Sequence, residues 1–250
     1  MDNMIRTVEM PHLPKGRVRH IIIGEKYRNL LEKALSVHDL EAIWLKNNNF
    51  VDERLSGHTD LSAVQIGNRI VLSEYLKPCE QIHNLINADY VPNPQKPIYP
   101  YDAGLNFCII GDRLFYSPKT ANAEQIRKVG CKEKIIVKQG YTKCSICVVD
   151  ENSIITADKM ISVAAKESGM NVLYISKPFV SLKGFDCGFI GGAAFKISAN
   201  ELAFTGEIKD AGIRTEIECF LNERNVCPIY LTNNLAFDIG SAIPLTEQIP

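Results

Sequence analysis

Internal repetition constrains this chain more than any single motif. Laying Gly57–Ser73 over Tyr101–Ser117 superimposes a glycine, an arginine, an apolar triplet and a serine at one constant shift of 44 residues. A third copy runs from Thr142 to Thr156 and a fourth from Ile190 to Thr205. A fifth, Asp238 to Leu245, is cut short by the end of the chain. Each copy reads as a β-hairpin, because short apolar runs flank turns of the Gly-Asn, Gly-Asp, Asp-Glu-Asn or Ser-Ala-Asn kind. Helical spacing follows each hairpin: Ile82, Leu85, Ile86; Ala123, Ile126, Val129; Ile161, Ala164, Ala165; Ile213, Ile217, Phe220, Leu221. Another apolar run closes most units, at Lys134–Val137, Val172–Ile175 and Pro228–Leu231. The unit is therefore ββαβ, with a period of about 40 to 48 residues.

The fifth copy lacks its helix and last strand, and the N-terminal region supplies them. His20–Ile23 reads as a lone strand, Leu30, Leu31, Ala34 and Leu35 as a helix face, and Ala42–Leu45 as a strand. The expected fold is α/β: a five-bladed ββαβ propeller, circularly closed by the two termini. It is read as one domain over residues 1–250, with units at 56–97, 98–139, 140–183, 184–233 and, joining the ends, 234–250 plus 17–55. The competing reading is an unrelated α/β fold in which the weak copies are coincidental.

Of the 250 residues, 46% are hydrophobic and 23% charged, enough apolar content for a full core, which excludes disorder, collagen and a coiled coil. A net charge of −1 leaves no polycationic footprint, so no nucleic-acid partner is expected. No run approaches the ~18–20 apolar residues of a membrane span, and the first twenty residues lack a signal-peptide core, so the expectation is a cytoplasmic protein with no membrane partner. The eight cysteines have no framework spacing and read as buried reduced thiols, with one exception.

The exception comes from a resemblance. Five ββαβ units, with the stretches Gly57-His58-Thr59-Asp60, Lys138–Ser145, Gly188–Ala194 and Asp238–Ser241, resemble the pentein, or guanidine-modifying enzyme, superfamily. That superfamily contains arginine and agmatine deiminases, dimethylarginine hydrolases and amidinotransferases; the likeness is nearest to an uncharacterised bacterial group with the same fold. The resemblance implies chemistry on the first strand of each unit, facing a central channel. It has a Gly-His-x-Asp segment, a nucleophilic cysteine two units later, and an acid with glycines in the unit before the histidine. Laying Asn152 over Asn68 puts Cys144 level with Asp60; a one-residue slip puts it over Leu61 and on the opposite face. The order matches after a circular shift. Without that shift, direct superposition puts Pro244 at the nucleophile and the site is dead, as in the superfamily's ribosome-binding translation factor.

The chemistry implied is a cofactor-free Cys/His hydrolase or amidinotransferase acting on a small cationic guanidino or amidino substrate through a thiouronium intermediate. Cys144 is the implied nucleophile, His58 the acid and base, and Asp60 either orients His58 or binds substrate. Asp102 and Asp238 align with His58 in their own units, and Asn106 lies two pairs along the same strand face; these three are the expected substrate-binding residues. Each has a plainer reading: His58 as a turn residue, Asp60 and Asp102 as turn formers, Cys144 as a small core residue alternating with Ile146 and Val148. The class alternative is a catalytically silent ring that binds a protein or ligand. Cys144-Ser-Ile-Cys147 fits a CxxC pattern, but residues three apart on a strand point to opposite faces, so no metal is expected. The glycines of Gly188–Ala194 lack nucleotide-binding spacing and instead let backbones crowd near the axis. Tyr90–Pro100 is a proline-rich loop placed to overhang the site. Pentein rings often pair, which leaves a homodimer open.

Overall fold

The computed structural model describes residues 4–249. From the N-terminus, β1 (Met4–Thr7) and β2 (Arg17–Gly24) lead to helix α1 (Arg28–Val37) and β3 (Glu41–Leu45). The next unit has β4 (Ala63–Ile66), β5 (Arg69–Ser73), the one-turn helix α2 (Glu80–His83) and β6 (Asn87–Val91). It is followed by β7 (Cys108–Ile110), β8 (Arg113–Tyr116), α3 (Ala123–Lys128) and β9 (Glu133–Ile136). Then come β10 (Ile146–Asp150), β11 (Ser153–Thr156), α4 (Lys159–Glu167) and β12 (Asn171–Tyr174). The fourth unit holds β13 (Ala194–Ser198), β14 (Glu201–Phe204), α5 (Ala211–Asn222) and β15 (Cys227–Tyr230), and β16 (Ile243–Ile249) ends the chain. In every unit the hairpin is antiparallel and the strand after the helix pairs parallel with the hairpin's outer strand.

The termini close the ring as the repeat requires. β16 pairs antiparallel with β2, Ile243 opposite Ile22, and β2 pairs parallel with β3. β1 adds a further strand on the free edge of β16, Ile5 opposite Gln248; its sequence gives no alternation that would have announced it. Glu247, 1% exposed, fixes the following segment by accepting the amides of Lys15 (2.5 Å) and Gly16 (2.7 Å). Helices α3, α4 and α5 start under Asn122, Asp158 and Asp210, each of which accepts two amides of the first turn. Among the described residues no helix is long and apolar enough to cross a membrane.

The strand period of two explains why the units need one another. Along β10, Ile146 and Val148 pack with Cys108, Ile110 and Phe115 of the preceding unit. Their neighbours Cys147 and Val149 pack with Ala194, Leu202 and Phe204 of the next. The same division recurs at each junction, and the last is between β13–β14 and β2–α1, where Phe195, Ile197 and Ala203 meet Val18, Ile21, Ile23 and Leu31. Among the described residues each of these apolar cores draws on two neighbouring units.

Candidate active site

The six residues singled out from sequence all lie in the turns that lead into inner strands, ahead of the strands themselves. His58 precedes a 3-10 turn, Thr59–Leu61, that ends just before β4. Asp102 and Asn106 precede β7, Cys144 precedes β10, and Asp238 precedes β16. This corrects the expectation of strand positions, and with it Asn106's placing two pairs along a strand face. Turn geometry, tighter than a strand's, folds several side chains per unit towards the axis.

It also changes the meaning of the register. Ala63 faces Leu72 and Ile146 faces Thr156, while a bulge between Val148 and Asp150 adds a residue to β10. Counted from the paired outer strands, Cys144 is level with Leu61 and Lys143 with Asp60. Alternation would then aim Cys144 away from the channel. It does not, because the backbone there is a turn: Ser145 donates its amide to the Tyr141 carbonyl and Ile146 to that of Lys143.

The turns bring five side chains together. Cys144 Sγ is 2.7 Å from Asp60 Oδ2 and 3.6 Å from Asn106 Nδ2. His58 Nδ1 faces Asp238 Oδ1 at 3.9 Å. One ring nitrogen of His58, Sγ and an Asp238 oxygen lie within 4.8 Å of one another, a set that could also hold a metal ion. Asp60 thus contacts the thiol, and the carboxylate beside His58 is Asp238. Asn106 ties the turn down by accepting the Lys143 amide at 2.7 Å. Asp102 joins through Tyr141, whose hydroxyl donates to Asp102 Oδ2 at 3.0 Å.

Glycines make this convergence possible. The Gly192 amide donates to the Cys144 carbonyl, and a Cβ there would lie 1.9 Å from Asp238 Oδ1. Asp238 is held in place by the amides of Phe189 (2.9 Å) and Gly240 (2.8 Å).

The cluster is desolvated: Cys144 is 2% exposed, His58 and Asp60 3% each. Burial lowers the His58 pKa below its usual value, against the pull of Asp238. Burial pushes the Asp60 carboxyl up to about 7 despite the Cys144 and Lys143 contributions, and pushes Asp102 up as well. It raises the Cys144 thiol well above the usual range, with the Asp60 and Asp238 charges adding to it. Among the described residues, the buried side-chain atoms without a hydrogen-bond partner include His58 Nε2, Thr59 Oγ1, Asp60 Oδ1 and Asp102 Oδ1.

Sequence reasoning missed the buried Lys143, whose Nζ donates to the Gly191 carbonyl (3.1 Å) and Ser241 Oγ (2.9 Å). Its signal was available: after the bulge is counted, it is the third unit's counterpart of Asp60. Cys147, the partner in the CxxC spacing, lies away from the cluster, in the core with Val149 and Ile155. In the proline-rich loop Tyr99 packs on Tyr141 at 5.5 Å, and Val91–Gln95 with Asp102 line a cavity of about 540 Å³.

Solved structures resemble this one throughout. An inosamine-phosphate amidinotransferase from Streptomyces griseus matches with TM-score 0.58 and 10% identity, covering 96% of this chain and 97% of that one. Agmatine deiminase from C. jejuni matches with TM-score 0.54 and 11% identity over 98% and 96%. A dimethylarginine dimethylaminohydrolase, as its adduct with 4-chloro-2-hydroxymethylpyridine, matches with TM-score 0.52 and 13% identity over 93% and 100%. Five ββαβ units closed through the termini and shared with these enzymes define the pentein fold. Within it, the profile of the "Family of unknown function (DUF6873)" matches residues 22–243, and the chain belongs to that family. No curated protein matches the sequence.

Proposed function

We propose that the chain is a cofactor-free Cys/His hydrolase or amidinotransferase that acts on a small guanidino or amidino cation through a covalent thiouronium intermediate. The observation that carries this reading is the set of unpartnered acceptors around a buried thiol: His58 Nε2, Asp60 Oδ1 and Asp102 Oδ1. Each costs about 1–3 kcal/mol while unsatisfied, and a guanidinium carries a planar fan of N–H donors that suits carboxylates.

In the resting state Cys144 is a thiol, its ionisation opposed by burial and by Asp60 and Asp238. An arriving cation offsets those carboxylates and draws the thiol's pKa down. The thiol proton passes to His58 Nε2 while Sγ bonds to the central carbon. Imidazolium beside Asp238 then protonates the departing amine, the C–N bond breaks, and the thiouronium remains. Neutral His58 next takes a proton from water, hydroxide adds, and the C–S bond breaks with the pair returning to sulfur, which recovers its proton from His58, while the new hydroxyl gives its proton to the released ammonia or amine and becomes the product carbonyl. In a transferase an amine replaces the water. Asn106 holds the Cys144 turn in place, and Asp102 and Asp238 favour the cation.

A haloacetamidine probe tests the nucleophile: labelling should be lost in Cys144→Ala. Assays for ammonia, urea and citrulline across arginine, agmatine and methylated arginines test turnover. The silent binding ring is favoured by one observation, the near-complete closure of the cluster from solvent; an unlabelled wild-type chain would establish it. On the same reading the chain works in a reducing cytoplasm, where its eight free cysteines persist.

A further inference from the structure

One apolar cluster is not a seam between two neighbouring units. Val51, Leu55, Leu61 and Ala103 are buried against one another with Tyr141 and Leu182 packed on them, and these six come from four units. All but Val51 are tied to a residue of the candidate site. Leu61 follows Asp60 in the chain, and Ala103 follows Asp102. The Leu55 carbonyl accepts the His58 amide at 2.9 Å, and the carbonyl of Ser181, next to Leu182, accepts the Asp238 amide at 2.9 Å. Tyr141 donates its hydroxyl to Asp102 Oδ2, and its carbonyl closes the turn that carries Cys144. The turns that converge on the thiol therefore converge on this cluster too, and it is the site's apolar neighbour.

A bound substrate with its cationic head among the acceptors around Cys144 would set its other end against these side chains. The charged residues beside Val51 and Leu55 are already engaged: Arg54 places Nε and Nη2 on Asp52 at 2.9 and 2.6 Å. Lys26 spends its Nζ on the carbonyls of Glu53 and Arg54 and on Ser56 Oγ. A charged end brought in among Leu55, Leu61 and Leu182 loses water and gains no partner, whereas a hydrocarbon end gains by leaving water. Leu182 is the member able to give way, being half-buried at the foot of an exposed turn, residues 183–187. That turn is held from outside by Arg54, whose Nη1 donates to the Gly184 carbonyl at 2.8 Å and whose guanidinium lies 4.1 Å over the Phe185 ring.

We propose that the non-reacting end of the substrate is uncharged and apolar: an N-alkyl- or N-arylguanidine, or the matching amidine. Its head lies at Cys144, and its hydrocarbon end packs on Leu55 and Leu61 in the place Leu182 vacates, which makes Leu182 a specificity-determining residue. This rests on the reading of Cys144 and His58 as the reacting pair.

Butylguanidine, agmatine and guanidinobutyrate each carry a guanidinium on a short straight chain, and they end in a methyl group, an ammonium and a carboxylate. Calorimetric titration of the Cys144→Ser chain with the three compounds tests the proposal without turnover. Butylguanidine should bind about tenfold more tightly than either charged compound. In Cys144→Ser/Leu182→Asn that preference should fall to about threefold or less, while Leu182→Met, which keeps an apolar side chain, should retain it. Melting curves check that both variants fold; if the asparagine variant does not, Leu182→Ala is read in its place. Equal binding of the three, tighter binding of a charged compound, no binding of any, or a preference unchanged on losing the leucine overturns the proposal. In the unsubstituted chain, protection of Cys144 from chloroacetamidine should rank the compounds in the same order. Failure of chloroacetamidine to label Cys144 at all sinks the nucleophile assignment, whereas labelling without a preference for the alkyl compound sinks only the apolar site.

Discussion

Cys144 Sγ and Asp60 Oδ2 lie 2.7 Å apart with both residues buried, so a nucleophile candidate and a carboxylate share one proton-sized gap. Asp60 raises the cost of ionising the thiol, while the thiol's hydrogen bond eases the ionisation of Asp60, which burial opposes.

Stability should therefore depend on pH through Asp60. Its folded pKa, about 7, is above the ordinary 3.8, so the folded chain binds the proton more tightly. The contribution is fully present at acid pH and is lost as pH rises through about 7, with an upper bound of roughly 4 kcal/mol. Asp60→Asn should melt above wild type at pH 8, with the difference shrinking towards pH 5. A melting difference that does not vary with pH would contradict the buried-carboxyl assignment.

His58 titrates in the opposite sense. Burial lowers its folded pKa, so protonation costs stability as pH falls below about 6.5, the unperturbed value. His58→Gln should remove that acid-side loss. It should also cut turnover by 10²–10⁴-fold while leaving Cys144 in place, measured by ammonia release beside intact-mass labelling.

Lys143 is a positioning residue two links from the chemistry. Its ammonium lowers the Asp60 carboxyl, so Lys143→Met should shift the pH midpoint of Cys144 alkylation upward. Stability should fall by about 1–3 kcal/mol as Ser241 Oγ and the Gly191 carbonyl lose their donor. A stability loss with an unmoved alkylation midpoint would make Lys143 purely structural.

Gly192→Ala should be far more damaging than an exposed glycine substitution. Its Cβ would fall 1.9 Å from Asp238 Oδ1, while at Gly130 nothing lies within 4 Å. Asp238 is held by two amides and cannot retreat, so turnover should fall with the fold retained. Circular dichroism and activity on both variants check this.

Chain termination after Ala242 removes β16, and with it Ile243 and Leu245 from the core shared with Ile22, Ile70 and Leu72. Because the apolar cores draw on two neighbouring units each, an open ring should lose cooperative unfolding as a whole, not just in one blade. A sharp thermal transition surviving in the truncated chain would show that the units are independent.

Sequence and structure agree most closely where the signal is local. Gly67 and Gly111, with φ of 58° and 55°, make the hairpin turns that Gly-Asn and Gly-Asp announced. The strand β6, Asn87–Val91, was missed although Asn87 and Asp89 alternate with Ala88 and Tyr90, because the alternation is short and only Val91 is fully buried. The pairing of thiol with Asp60 and of His58 with Asp238 was equally invisible, since Asp60 and Cys144 are 84 residues apart and neither neighbour in sequence hints at contact.

By itself the sequence determined the repeat, the ββαβ unit and the need for the two ends to meet, because strand and helix periods are set by backbone geometry and read directly as apolar spacing. It also nominated Cys144, His58, Asp60 and Asp238. Only the tertiary structure decided which of them touch. Side chains in a turn follow no fixed period, and a single extra residue between Val148 and Asp150 moved the register by one while the turn returned Cys144 to the centre.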